Sequence, residues 1–456
     1  CCTGLDTCTV TNSEDCQGAY YEQQLCGDIS CSKLTVDPNA EGGGSGIYNT
    51  IQGAIDASYD GMTISVMAGT YTENIDLSNM DITLVSIEGP ESTILDAGDN
   101  GSFITANGSG EAANLQMTGF TFINGTGTPV AGGGTSGGAI YTTNTNVLIE
   151  QCIFSDNTAR YGGAVYVEYN TLNVTGCAFL DNNSERQGGA ICTTYSDVTV
   201  STCDFTGNRC ENSDGMDSIG GAIACSLSDV YSLTVTTSNF TDNYAGEGGG
   251  AIETHSAGSA ATVDDCTFTN NISSNGGAIN TSNTPFTCTD STFTGNEASV
   301  ATADQTGDGG AIFSGYEFGD DVTFILSGCR FESNLSNNGA VCLNGHSSNP
   351  QIQNCIFIAN EGTTTDPNVG GAALKIIDTS PTVTGCTFQN NSCPNNGNVG
   401  SAIYVWVGTV SYQNCEFCGH AGQPLATYNE GSYTDNGGNV IRTNCDYWVV
   451  DDLFDD

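Results

Sequence analysis

The sequence is poor in positive charge: seven Lys and Arg stand against fifty-two Asp and Glu in 456 residues, for a formal net charge of −45. Nucleic acids are excluded as partners, because a polyanion gains affinity when Lys and Arg neutralise its phosphates. Anionic membranes and polyuronic acids are poor partners for the same reason. No run approaches the ~20 consecutive apolar residues of a membrane helix, and the chain does not open on a basic-then-apolar leader. A soluble, already processed chain is the expectation, with no membrane insertion. Histidine is scarce too: His255, His346 and His420 make up the set, without the H-x-x-H or H-E-x-x-H spacing of a zinc site. None has a visible companion to act as base for a Ser or Cys nucleophile. Helix-length amphipathic segments are missing between Tyr141 and Tyr412, and no Pro- or Ser-rich linker interrupts the chain.

Glycine and cysteine are abundant, at 60 and 22 residues, and repetition explains the glycine. A Gly-Gly-Ala-Ile/Val signature has its Ala at Ala139, Ala164, Ala190, Ala222, Ala251, Ala278, Ala311, Ala340, Ala372 and Ala402, in steps of 25 to 33 residues. A second signature, Cys-x-Phe-x-x-Asn, follows: Cys152/Phe154/Asn157, Cys177/Phe179/Asn182, Cys203/Phe205/Asn208, Cys266/Phe268/Asn271, Cys329/Phe331/Asn334, Cys355/Phe357/Asn360 and Cys386/Phe388/Asn391. Ser238 and Ser291 take the cysteine place in two copies, and His420 follows Cys415/Phe417 where Asn is due. Apolar residues five and three before each cysteine, such as Leu172/Val174 and Val198/Val200, have the period of a strand and share one face. Each repeat therefore supplies at least three short strands. Strands this short cannot bury a face alone, so successive turns must stack. Phe then lies on Phe about 4.8 Å apart, and Asn at a corner tolerates left-handed backbone and can ladder its amide. The fold class read from this pattern is all-β: a parallel β-helix, or solenoid, roughly 60–70 Å long at ~4.8 Å per coil. A short helix over 47–59 caps it, preceded by a Cys-rich N-terminal extension. The expected division is 1–46 for the extension, 47–424 for the β-helix and 425–456 for a C-terminal cap and acidic tail.

The stretch from Ile51-Gln52-Gly53-Ala54-Ile55 through Gly69-Thr70-Tyr71 to Thr93-Ile94-Leu95-Asp96 resembles the opening segment of right-handed β-helices of the pectin-lyase-like superfold. The paired G-G-A-[ILV] and F-x-x-N tetrads resemble the repeat of the polymorphic outer-membrane protein family of surface adhesins. Together these resemblances span about residues 47–420. They imply a β-helix that serves lyases, hydrolases, adhesins and inert fibres alike.

An enzyme similar to those lyases and hydrolases would carry grouped carboxylates with Arg or Lys. The basic residues include no Arg-x-Lys, and the paired acids Asp264-Asp265 and Asp320-Asp321 read as solvated side chains. No catalytic residue and no metal ligand is therefore nominated. No cofactor is expected beyond weak Ca²⁺ binding by corner carboxylates. Ten N-x-[ST] sequons, at Asn100, Asn107, Asn124, Asn173, Asn182, Asn239, Asn271, Asn280, Asn334 and Asn390, are candidate glycosylation sites. Cys1, Cys2, Cys8, Cys16, Cys26 and Cys31 are disulfide candidates in a segment without apolar periodicity, in unknown connectivity. Cys203 with Cys210, Cys386 with Cys393, and the C-x-x-C of Cys415 and Cys418 are further candidates. The remaining C-x-F cysteines read as small buried hydrophobes. Tyr141 and Tyr166 occupy the same outward position in consecutive coils, and Phe313, Tyr404 and Trp406 recur on the corresponding strand later, a candidate aromatic contact surface. The function these features imply is a secreted, extracellular, non-enzymatic glycoprotein, a structural or adhesive rod at a cell surface. Its expected partners are its own copies, joined head to tail into a filament, or other surface proteins and glycans. The alternatives are a carbohydrate-active enzyme on the same fold and a monomeric glycan-binding adhesin.

Overall fold

The computed structural model describes residues 34–40, 46–77, 79–108, 112–131, 133–211, 218–226, 231–255, 260–299, 307–315, 322–345, 349–363, 370–393, 401–420 and 423–445. The six N-terminal cysteines lie outside them. One coil shows the plan of the whole: strands Ile140–Thr143, Thr145–Glu150, Ile153–Ser155 and Thr158–Tyr161 run in sequence. A single left-handed residue makes each junction: Asn144 (φ 52), Gln151 (φ 51), Asp156 (φ 56) and Gly162 (φ 63). Such backbone bends the chain within one residue, and Gly, Asn and Asp adopt it at least cost. The same four junctions recur in the next coil at Tyr169, Gly176, Asp181 and Gly188.

Successive coils pair in parallel and build sheets of 27, 14 and 10 strands. The first and second strands of each coil share the largest sheet, the Phe strands form the second, and the strands after Asn form the third. Fourteen Phe-sheet strands at about 4.8 Å make a stack of roughly 60 Å. The third sheet was not anticipated. Its inward row is Ala159, Ser184, Cys210, Ala245, Ser273, Ala298 and Ser336, all buried. Small residues two places after each Asn mark it, without the apolar character by which a strand is usually recognised.

The second glycine of each Gly-Gly pair is needed for the close approach of coils. A Cβ on Gly163 or Gly189 would overlap the backbone carbonyl oxygen of Gly189 or Gly221 in the next coil. Phe122, Phe154, Phe179, Phe205 and their successors are fully buried and stack nearly face to face, with centroids 4.7–5.0 Å apart along the series.

The stack is longer than 47–424 at both ends. Leu34–Val36 already pairs with Ile64–Val66, and Leu425–Thr427, Gly431–Asp435 and Val440–Arg442 continue the rungs. The cap is shorter than expected: the helix is Ile51–Asp56, with Ile47–Tyr48 in a strand before it. Thr50 accepts from Gly53 N–H at 3.1 Å, and Glu73 accepts from the N–H groups of Ile51 and Gln52. These satisfy helix N–H groups that have no partner within the helix.

Candidate functional surface

Two inward ladders hold the stack and fix what is left for the surface. Asn157, Asn182, Asn208, Asn243, Asn271, Asn296, Asn334, Asn360 and Asn391 form one, each fully buried. From Asn157 to Asn360 each side-chain amide donates to the Oδ1 of the next Asn at 2.9–3.0 Å, and the backbone N–H of each donates to that same oxygen. Throughout the ladder, Nδ2 also donates to the carbonyl of a Phe in the preceding coil, as Asn157 does to Phe122 at 3.0 Å and Asn208 to Phe179 at 2.9 Å. His420 ends the ladder in the Asn place, its ring nitrogens against the carbonyls of Asn391 and Phe388. Burial lowers its pKa below the ordinary histidine value.

The cysteine row is the second ladder, and hydrogen bonding decides its composition. Cys177 Sγ accepts from Cys152 N–H at 3.4 Å and donates to the carbonyl of Thr175. Ser238 Oγ does the same for Cys203 N–H at 3.1 Å and Thr236. A hydroxyl substitutes for a thiol because the position needs an acceptor and a donor. The reading of these residues as small hydrophobes accounts for their burial and overlooks this bond.

The nominated local disulfides do not form. Cys203, Cys210, Cys386, Cys393 and Cys415 are free and buried, because each C-x-F cysteine points between the sheets while Cys210 and Cys393 lie beyond the Asn corner. Cys415 and Cys418 are three apart and face opposite sides of a strand. Cys418 instead bonds Cys445 in the next coil, with Cα atoms 5.2 Å apart. Burial pushes the Cys210 thiol up to about 12, so it is no nucleophile at neutral pH.

Four of the ten sequons do not present their amide in the folded chain. Asn182, Asn271 and Asn334 belong to the buried ladder, and Asn280 is 9% exposed. Asn100, Asn107, Asn173, Asn239 and Asn390 are exposed, and Asn124 is half-buried with its amide on Asp96. The pattern N-x-[ST] overlaps the ladder motif, so sequence cannot separate the two uses.

The outward row holding the nominated aromatics is continuous in register: Tyr141, Tyr166, Cys192, Ala224, Glu253, Asn280, Phe313, Cys342, Lys375, Tyr404, Ala426. Residues that precede Gly-Gly pairs lie against it: Gln187 meets Cys192, Gly248 meets Glu253 and Asp308 meets Lys375. Tyr141 and Tyr166 stack at 5.7 Å and are half-buried, as is Phe313. Tyr404 is only 1% exposed, and Trp406 meets Tyr428 edge-on at 5.2 Å. Glu253 is buried below Gly248, where a Cβ would meet its Oε2 and Asn280 Nδ2. Burial raises the Glu253 pKa well above the ordinary value of 4.5, against the lowering effect of a hydrogen bond with Asn280.

The exposed aromatic pair is a different one. Tyr169 and Tyr195 stack at 5.1 Å with rings 12° from parallel, 50% and 40% exposed. Both sit at positive φ, 59 and 52, where a bulky side chain is an outlier. Tyrosine recurring at one kink in consecutive coils was the available signal.

Among the described residues, the paired carboxylate Asp264-Asp265 and the histidines His255 and His420 form no group that could hold a metal. Asp264 ends a strand and accepts from Thr289, while Asp265 turns the next bend at φ 51. His255 is exposed at another strand end; Asp320, Asp321 and His346 lie outside the described residues. Among the described residues, no group of three or more His, Cys, Asp or Glu could hold a metal, and no helix is long and apolar enough to cross a membrane.

The Chlamydia polymorphic membrane protein (Chlamydia_PMP) repeat matches residues 151–168, 265–282 and 290–315. Each window runs from the bend before a Phe strand, across the Asn corner, to the following Gly-Gly-Ala strand. Tailspike protein 3 of bacteriophage CBA120 is similar in structure at 11% identity over 86% of this chain and 57% of its own, with a TM-score of 0.48. The catalytic unit of the GH87 α-1,3-glucanase of Streptomyces thermodiastaticus strain HF3-3 is similar at 13% identity over 85% of this chain and 64% of its own, with a TM-score of 0.39. Carrot pectin methylesterase is similar at 17% identity over 62% and 81%, with a TM-score of 0.33. The chain thus spans less than two thirds of the glucanase and of the tailspike. No curated protein matches it. Rung by rung, then, the chain is a parallel β-helix whose repeats are similar to those of the Chlamydia polymorphic membrane proteins.

Proposed function

We propose that this protein is an extracellular, non-enzymatic rod that acts in structure or adhesion at a cell surface, with its own copies or surface glycans as partners. The observation that carries the reading is the uninterrupted Asn ladder from Asn157 to Asn391, nine buried amides in series. It is a device for a stiff column, and it leaves the polar groups of one coil engaged with the next. The ends support assembly differently. The helix Ile51–Asp56 covers one end with buried Ile51, Ala54 and Ile55. Near the other, Tyr433 and Ile441 are 46% and 62% exposed among the described residues, apolar surface that suits contact with another copy. Electron microscopy of native material is expected to show filaments with a repeat of one rod length; monodisperse single rods at high concentration would count against assembly.

Adhesion is favoured by the Tyr169–Tyr195 stack, since aromatic rings held proud of a surface in costly backbone suit the apolar face of a sugar. Glycan-array binding lost in Tyr169→Ala/Tyr195→Ala, with the fold intact, supports it; unchanged binding removes this surface from the reading.

A further inference from the structure

Lys375 is the one cation on the buried outward row. Its Nζ lies 3.7 Å from Oδ1 of Asp308, and the two side chains are 5% and 8% exposed. Asp308 precedes Gly309-Gly310 two coils earlier, so the pair bridges an intervening coil. That coil places Cys342 between Phe313 and Lys375 in the row and Asn338 beside Asp308. Asn338 Oδ1 is buried and accepts no hydrogen bond. Next to Lys375 in the row, Tyr404 packs with Ala372, Cys393 and Ala426 in an apolar cluster of its own.

An ion pair removed from water recovers little of its desolvation cost. An amine and a carboxyl group are the reactive partners of amide formation, and here they are buried and held in contact. We propose that Lys375 and Asp308 join in an intramolecular isopeptide bond. Nζ attacks Cγ of Asp308, the C–N bond forms, and one C–O bond breaks. The departing carboxyl oxygen leaves with two Nζ protons as water, so no oxidant or co-reactant is needed. Effective concentrations of about 10⁵–10⁸ M for well-oriented groups offset the cost of condensation, and burial keeps hydrolytic water away. The product is a covalent clamp over three coils, independent of whether the rod assembles or binds glycans.

The test is a peptide mass map of the full-length folded protein after denaturation and proteolysis. Expected is one branched species containing Asp308 and Lys375, lighter than its two peptides by one water, with little of either peptide alone. Lys375→Arg and Asp308→Ala should each restore separate peptides. Recovery of both unmodified peptides from the wild-type chain overturns the proposal, without reliance on how any variant folds. A branched species lighter by one ammonia and joined at Asn338 overturns the assignment to Asp308.

Discussion

The inward Asn ladder and the outward row on the glycine strands run the same length of the rod and differ in almost every respect. One repeats a single residue nine times. The other places Tyr, Cys, Ala, Glu, Asn, Phe and Lys at equivalent positions. The ladder residue must donate to the coil on one side and accept from the coil on the other, so each copy needs an identical neighbour. An outward residue meets the corner before Gly-Gly, which differs from coil to coil, and is selected by that local roof. Uniformity marks where a coil's partner is its own copy; variety marks where it is not.

Breaking the ladder has the largest expected effect. Asn243→Ala removes the acceptor of Asn208 N–H and Nδ2 and the donors to Phe205 O and Asn271 Oδ1. At about 1–3 kcal/mol for each buried group left unpaired, the loss should reach about 3–5 kcal/mol, read by urea titration followed by circular dichroism. A cost below 1 kcal/mol would show that neighbouring coils re-form the bonds.

The outward row should respond in the opposite sense. Because burial raises the folded-state pKa of Glu253, folding takes up a proton there between the unfolded value and the raised one. The associated stability is present below the unfolded value of about 4.5 and is lost as pH rises toward the folded one. Glu253→Gln should therefore remove that pH dependence and stabilise the rod at pH 7 by about 1–2 kcal/mol. Melting curves of both proteins from pH 4 to 8 that run parallel would contradict the assignment.

The smallest effect tests the cysteine ladder. Cys203→Ser should change stability by less than about 1 kcal/mol, because Ser238 already fills this role one coil on. Cys203→Ala leaves Cys177 N–H without its acceptor and should cost about 1–3 kcal/mol. Equal costs for the two variants would return the row to plain apolar packing.

Much of this was legible beforehand. Phe154, Phe179 and Phe205 stack as their spacing requires, and Asn157 joins Asn182 and Asn208 in the expected amide ladder. The strand after Asn escaped notice because its inward residues, such as Ala159, Ser184 and Cys210, are too small to make an apolar pattern. The surface was misjudged where neighbouring residues cover an outward position, as Ala372, Cys393 and Ala426 do at Tyr404, and where a kink projects a side chain, as at Tyr169 and Tyr195.

By itself the sequence determined the Phe and Asn rows, in which a residue meets its own counterpart one coil away. In a stack, neighbouring coils are near copies displaced along the axis, so recurrence along the chain is adjacency in space. Tertiary structure alone decided the contacts that break this translation: Cys418 with Cys445, Lys375 with Asp308, and Glu253 beneath Gly248. Those depend on how far a side chain reaches and what roofs it, and no period in the sequence records either.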